Sequence, residues 1–280
     1  MAEAAYLRRF SKDHSNVTAT NGRVNPGIGS FRPFRASLAV TVCTPNRTGR
    51  TNMPITTCIF DAYGTLFDVA AAARQAAAEP AFPQLKDRWM ALADHWRLKQ
   101  LQYTWLRAVA GAHDDFWTVT QNGLDWALEK TGLSGDAELR ERLLALYWEL
   151  HAYPEVPTML HALKAAGLNT GILSNGSPAM LDGAVQSAGI GDVLDAVLSV
   201  ESVGVFKPHE SVYDLVGGHF GCAKGDVLFV SSNGWDAACA TGYGFSTAWV
   251  NRAGEPVDRL PWVPAHTMTD LTGIPALAGV

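Results

Sequence analysis

Residues 56–67 read TTCIFDAYGTLF, a short β-rich apolar run that stops abruptly at Asp61, Ala62, Tyr63, Gly64 and Thr65. That pattern predicts a strand over 56–60 ending in a polar turn. From about residue 69 to 151 the spacing becomes helical. Trp89, Leu92, Ala93, Trp96, Tyr103 and Leu106 recur on one period, as do Leu139, Leu143, Leu146 and Leu150. Breaks fall at Glu79-Pro80, Gly111, residues 131–136 and Tyr153-Pro154. Beyond Pro154, helices predicted over 156–166, 178–188, 210–220 and 235–241 alternate with strands over 170–173, 196–200, 227–230 and 246–250. Repeated βα units imply an α/β fold, with a Rossmann-like parallel sheet, right-handed crossovers and an all-helical insert after the first strand. Ligands of such sheets lie at the carboxyl ends of the strands.

Composition narrows the function classes. The chain has 280 residues, 48% of them apolar, which is enough to bury a substantial core. A net charge of −5 gives no basic field for nucleic acid, and no run of 18 apolar residues suggests a membrane span. Cys43, Cys58, Cys222 and Cys239 are scattered without a CxxC pair, arguing against a disulfide framework or zinc site and fitting a reducing, cytoplasmic compartment. Charge is uneven, however: residues 1–52 carry +6 and the rest −11. Residues 1–53 read as a basic, poorly ordered leader. Three origins stay open for it: an organellar transit peptide, a basic arm for an acidic partner, or a start-site artefact with Met53 as the true start.

Three polar clusters sit where the sheet should bind its ligand, and a lone lysine joins them. Asp61 follows the first strand, with Gly64 allowing a tight turn and Thr65 offering a hydroxyl to its carboxylate. A strand-end carboxylate held this way is a candidate nucleophile. Ser174, Asn175 and Gly176 end a second strand, Lys207 precedes a helix, and Ser231, Ser232, Asn233, Gly234, Trp235 and Asp236 close the set. Each has a plain structural reading as a helix cap, a solvated lysine or a charge at a helix N-terminus. In this order, at matching strand ends, they form a pattern.

That pattern resembles the haloacid dehalogenase superfamily over about residues 54–278. The resemblance implies a core of residues 54–68 and 152–280, with residues 69–151 as a helical cap. Phosphatases of that superfamily read DxDxT, and the alternative reading is such a phosphatase acting on a small phosphorylated metabolite. Here the second Asp is replaced by Tyr63, a poor acid near neutral pH with an ordinary pKa of about 10. Ser231, Ser232 and Asn233 stand where adjacent acids would hold magnesium, so no metal site is expected. Both changes suit an alkyl halide, whose halide ion leaves without needing a proton. The stretches FDAYGTLF (60–67), WRLKQLQYTWLRAVA (96–110), LSNG (173–176) and VSSNGWD (230–236) are similar to L-2-haloacid dehalogenases. Leu98 and Gly234 depart from what is frequent there, which bears on pocket shape.

The resemblance implies hydrolysis of short-chain L-2-haloalkanoic acids to D-2-hydroxyalkanoic acids, with Asp61 attacking C2 and inverting it. It implies that Thr65 and Ser231 orient Asp61, and that Ser174, Lys207 and the N–H groups from Ala62 onward bind the substrate carboxylate. Arg97 and Asn175 would cradle the halide. Tyr213 would join the Lys207 network, and Asn233 and Asp236 would organise the hydrolytic water. Tyr63, Leu101, Phe116 and Trp235 would form an apolar wall. No cofactor is expected, since neither GxGxxG nor GxxxxGK[ST] occurs. The expected partners are the haloacid, the halide and a second copy in a homodimer, with no nucleic acid and no membrane.

Overall fold

The computed structural model describes residues 54–280; the expectations for residues 1–53 lie outside the described residues. Six parallel strands, β1 (Thr57–Phe60), β2 (Asn169–Ser174), β3 (Ala196–Ser199), β4 (Val227–Ser231), β5 (Ser246–Val250) and β6 (His266–Met268), form one sheet in the order β3-β2-β1-β4-β5-β6. β1 and β4 are buried along their whole length, as strands covered on both faces must be. Phe60 lies level with Ile172 on one side and Val230 on the other. The next residue, Asp61, therefore leaves the sheet between the ends of β2 and β4. The chain steps from β1 out to β3, then returns to β4, so Asp61 stands at the point where strand order reverses and a crevice opens.

Between β1 and β2 the chain builds a helical insert of α1 (Ala71–Ala78), α2 (Trp89–Ala110), α3 (Phe116–Thr131) and α4 (Ala137–Trp148). The breaks have local causes. Gly111 and Gly132 end α2 and α3 in the left-handed conformation, with φ of 63° and 69°. Asp115 caps α3 by accepting from the Trp117 and Thr118 N–H groups, and Asp136 caps α4 through Leu139. α2 and α3 pack around partnered polar groups. Trp96 Nε1 donates to the Thr120 carbonyl at 2.8 Å, and Gln100 Nε2 reaches Thr120 Oγ1 at 2.9 Å and the Tyr147 hydroxyl at 3.1 Å. Two backbone bonds tie the insert's stem: Asp68 N–H to the His151 carbonyl and Tyr153 N–H to the Leu66 carbonyl.

The remaining helices, α5 (Val156–Ala165), α6 (Pro178–Ala188), α7 (Glu210–Phe220), α8 (Gly234–Tyr243) and α9 (Ile274–Leu277), belong to the sheet layer. Two expectations need correction, and two elements are new. The helical block begins at Ala71, because the Asp68 carboxylate holds the Ala70 N–H in a turn. The third strand stops at Ser199, where Val200–Ser202 forms a 3-10 turn. β6 and α9 were not anticipated: β6 is three exposed or half-buried residues long and α9 is four residues long, too short for a periodic signal.

Candidate active site

Gly64, at φ 87°, lets the chain turn directly after Asp61, and the turn brings Thr65 back over the carboxylate. Asp61 is buried and its two oxygens are treated differently. Oδ2 accepts from Thr65 Oγ1 and from Asn233 Nδ2, each at 3.0 Å, while Oδ1 accepts from Lys207 Nζ at 3.2 Å. Lys207 is 1% exposed and also donates to Asp236 Oδ2 at 2.9 Å. Asp236, fully buried in the first turn of α8, receives the Tyr213 hydroxyl on Oδ1 at 2.8 Å. Asn175 Oδ1 accepts the Lys207 N–H at 3.0 Å, so β2's end positions the lysine backbone.

The insert supplies the opposite side. Arg97 Nη2, from α2, donates to the Tyr63 carbonyl and to Asn233 Oδ1, both at 3.1 Å. Leu101 lies one turn further on and lines the same pocket, with Tyr63, Phe116 and Trp235 completing the apolar side. Ser174, Asn175, Lys207, Asn233, Arg97 and Asp61 form the polar side. The pocket has room for about one water molecule at a free volume of about 10 Å³. Tyr63 stacks on Tyr147 at 5.6 Å, and Trp235 meets the edge of Trp105 at 5.3 Å.

Thirteen sequence-predicted residues thus reach one crevice or its immediate support, with differences of detail. Ser231 makes no bond to Asp61 among the described residues. It is still inside β4, and its hydroxyl accepts the Asn233 N–H at 3.2 Å, shaping the turn that aims Asn233. The missed residue is Ser232, whose N–H donates to Thr65 Oγ1 at 2.8 Å and fixes the hydroxyl that holds Asp61. Two adjacent serines at a strand end could not be told apart without knowing where the strand stops. Ser174 Oγ accepts the Gly176 N–H at 3.0 Å while lining the pocket. Ala62 is buried, and its carbonyl accepts from the Thr65, Leu66 and Phe67 N–H groups.

A family model described as haloacid dehalogenase-like hydrolase matches residues 55–244. The chain belongs to this family. It is 39% identical over 224 residues to (S)-2-haloacid dehalogenase 1 of Pseudomonas sp. (strain CBS-3), covering 80% of this chain and 96% of that one. Among solved structures, an L-2-haloacid dehalogenase crystal structure matches with a TM-score of 0.74 and 39% identity, covering 81% of this chain and all of the other. The L-2-haloacid dehalogenase of Xanthobacter autotrophicus with chloropropionic acid covalently bound matches with a TM-score of 0.71 and 37% identity, over 80% and 98% of the two chains.

Electrostatics set the protonation pattern of this haloacid dehalogenase-like hydrolase. Burial alone would lower the Lys207 pKa, but Asp236 and Asp61 outweigh it and hold the ammonium above its ordinary value. Burial pushes Asp236 upward, opposed by Lys207 and the Tyr213 hydroxyl. Burial also lifts the Tyr63 hydroxyl well above an ordinary tyrosine, with Tyr147 and Asp61 adding to it. Tyr63 is therefore a poor proton donor to a leaving group. Replacing Lys207 by Met should cost about 3–5 kcal/mol near neutral pH, because two buried carboxylates lose their shared partner. In that variant the folded-state pKa of Asp236 stays above its unfolded value of about 3.9, so the deficit grows as pH rises and shrinks as pH falls. Urea unfolding of both proteins at acid and neutral pH measures this; a deficit independent of pH contradicts it.

Proposed function

We propose that the protein hydrolyses short-chain L-2-haloalkanoic acids to D-2-hydroxyalkanoic acids and halide, with the helical insert closing as a cap over the sheet core. The observation that carries this reading is a buried carboxylate, Asp61, held by Thr65, Asn233 and Lys207, with the Arg97 guanidinium reaching the same pocket from the insert. The (S)-2-haloacid dehalogenases to which the chain is similar support it.

Oδ1 of Asp61 carries one hydrogen bond against two on Oδ2, leaving it the freer oxygen for attack. It displaces the halide from the rear of C2, forming an ester and inverting the carbon. Arg97 and Asn175 stabilise the departing halide, while Ser174, Lys207 and the Ala62 and Tyr63 N–H groups hold the substrate carboxylate. The apolar side of the pocket excludes water and strengthens these attractions, from about 1 kcal/mol in water at 4 Å to about 4 kcal/mol at an effective dielectric of 20. Water positioned by Asn233 and Asp236 then attacks the ester carbonyl of Asp61. The acyl–oxygen bond breaks, the 2-hydroxy acid departs with one of the water's protons, the Asp61 carboxylate is regenerated, and Asp236 receives the other proton, which passes to solvent.

No step calls for a metal ion. The positive charge beside Asp61 is the Lys207 ammonium, and a metal at Asp61 would occupy the lone pairs that attack carbon. Halide release from L-2-chloropropionate, absent with the D enantiomer and unchanged by exhaustive EDTA treatment, is the expected result. Arg97→Ala should slow release by about 10²–10³, the range for removing a donor that acts on transition-state charge. Turnover of both enantiomers at equal rates, or activity restored only by magnesium, contradicts the proposal.

The expected homodimer and cytoplasmic setting are part of the same reading. The α2 surface exposes Leu98, Leu106 and Val109 at helical spacing, an apolar face suited to a second copy. Leu106→Lys combined with Val109→Lys should convert the dimer to a monomer in sedimentation velocity; an unchanged mass excludes this face. Cys58, Cys222 and Cys239 are free thiols, which suits a reducing compartment, and no described helix is long and apolar enough to cross a membrane.

A further inference from the structure

The insert meets the core a second time, away from Arg97, at Glu201 in the 3-10 turn after β3. Its carboxylate takes two groups from the insert. Oε1 accepts the Phe116 N–H at 3.3 Å, and Oε2 pairs with His113 Nε2 at 3.0 Å. A carboxylate only accepts, so Nε2 carries the hydrogen. The backbone of Glu201 is tied in the other direction. Its N–H donates to Ser199 Oγ at 3.2 Å, and the Ser199 hydroxyl donates to the Gly176 carbonyl at 2.6 Å. Glu201 thus links the start of α3 to the loop carrying Ser174 and Asn175.

The link matters because of what lies at its ends. The first N–H groups of a helix have no partner within it. Asp115 serves those of Trp117 and Thr118, and the core, through Glu201, serves that of Phe116. A negative charge at a helix N-terminus is favourable in itself. Phe116 lines the apolar side of the pocket, opposite Ser174 and Asn175 on the polar side. His113 extends the contact, its ring packing 4.6 Å from Phe206, the residue before Lys207.

We propose that Glu201 is a positioning residue: it holds Phe116 at a set distance from the substrate's C2 substituent and so governs which chain lengths the enzyme accepts. The inference rests on the dehalogenase reading. Glu201 touches no substrate atom in this account and acts through Phe116 and the 174–176 loop.

The test is halide release from L-2-chloropropionate and L-2-chlorobutanoate by the full chain and its Glu201→Ala, Glu201→Gln, Ser199→Ala and Asp125→Ala variants. Glu201→Ala should raise KM about tenfold, the scale of one lost charge-assisted hydrogen bond, and leave kcat within about threefold. It should also narrow the difference in kcat/KM between the two acids. Glu201→Gln, which keeps an acceptor oxygen for the Phe116 N–H, should recover most of the KM. Ser199→Ala cuts the Gly176 end alone and should shift KM the same way, which keeps the test decisive if Glu201→Ala fails to fold. Asp125→Ala removes the Arg140 ion pair within the insert and should change neither KM nor selectivity. Unaltered KM and selectivity in an active Glu201→Ala enzyme overturn the inference alone, as does an equal change in Asp125→Ala. A wild-type chain that releases no halide overturns the dehalogenase reading and this inference with it.

Discussion

One ammonium group between two buried carboxylates constrains the rest of the site. Lys207 is almost fully buried, and Asp61 and Asp236 lie 3.2 and 2.9 Å from its Nζ. None of the three charges is tolerable there alone, since desolvating an ion costs several kcal/mol. Together they are mutually compensated, and Tyr213, Thr65 and Asn233 satisfy the oxygens that Lys207 leaves open. The arrangement gives Asp61 a countercharge at 3.2 Å and two further donors inside a pocket with one apolar side. The same ammonium supplies, at this point in the fold, the countercharge that the proposed carboxylate nucleophile requires.

The sheet topology makes the arrangement available. Asp61 directly follows β1, Ser174 ends β2 and Ser231 ends β4, and the parallel register, with Phe60 level with Ile172 and Val230, brings those residues to one edge of the sheet. Lys207 and Asp236 follow on the segments leading into and out of α7 and β4. In the proposed reaction the core's own contribution toward the departing halide is the Asn175 amide. The insert adds the Arg97 guanidinium to the pocket, because its stem is pinned next to Asp61 by the Leu66–Tyr153 and Asp68–His151 bonds and α2 then runs back to Tyr63 and Asn233. In the proposed reaction the work is divided: the sheet holds Asp61 and its charge balance, and the insert adds Arg97 and half of the apolar wall, Leu101 and Phe116.

Much of this was legible in the chain. The abrupt passage from TCIF to Asp61 marked both the strand and its functional end, and the Leu and Trp spacing marked the insert, because long periodic segments state their own structure. What was not legible depended on where elements stop. Ser232, to which no role was assigned, supports the Thr65 hydroxyl, and Ser231 instead shapes the Asn233 turn, because β4 runs one residue further than its apolar run. Glu201 was invisible: its partners lie 85 and 88 positions away in the chain, and a glutamate after a strand carries no local sign of them. β6 lacks any apolar pattern because it is a short exposed edge strand held by β5.

The central claim is that Asp61 itself forms a bond to carbon. It predicts the fate of one oxygen atom. In a single turnover of L-2-chloropropionate with excess enzyme in heavy-oxygen water, the hydroxyl of the product should carry unlabelled oxygen taken from the Asp61 carboxylate. The label should then appear in a peptide containing Asp61. Product carrying solvent oxygen in the first turnover, with Asp61 unlabelled, would mean that water attacks C2 directly, and the covalent account would be wrong.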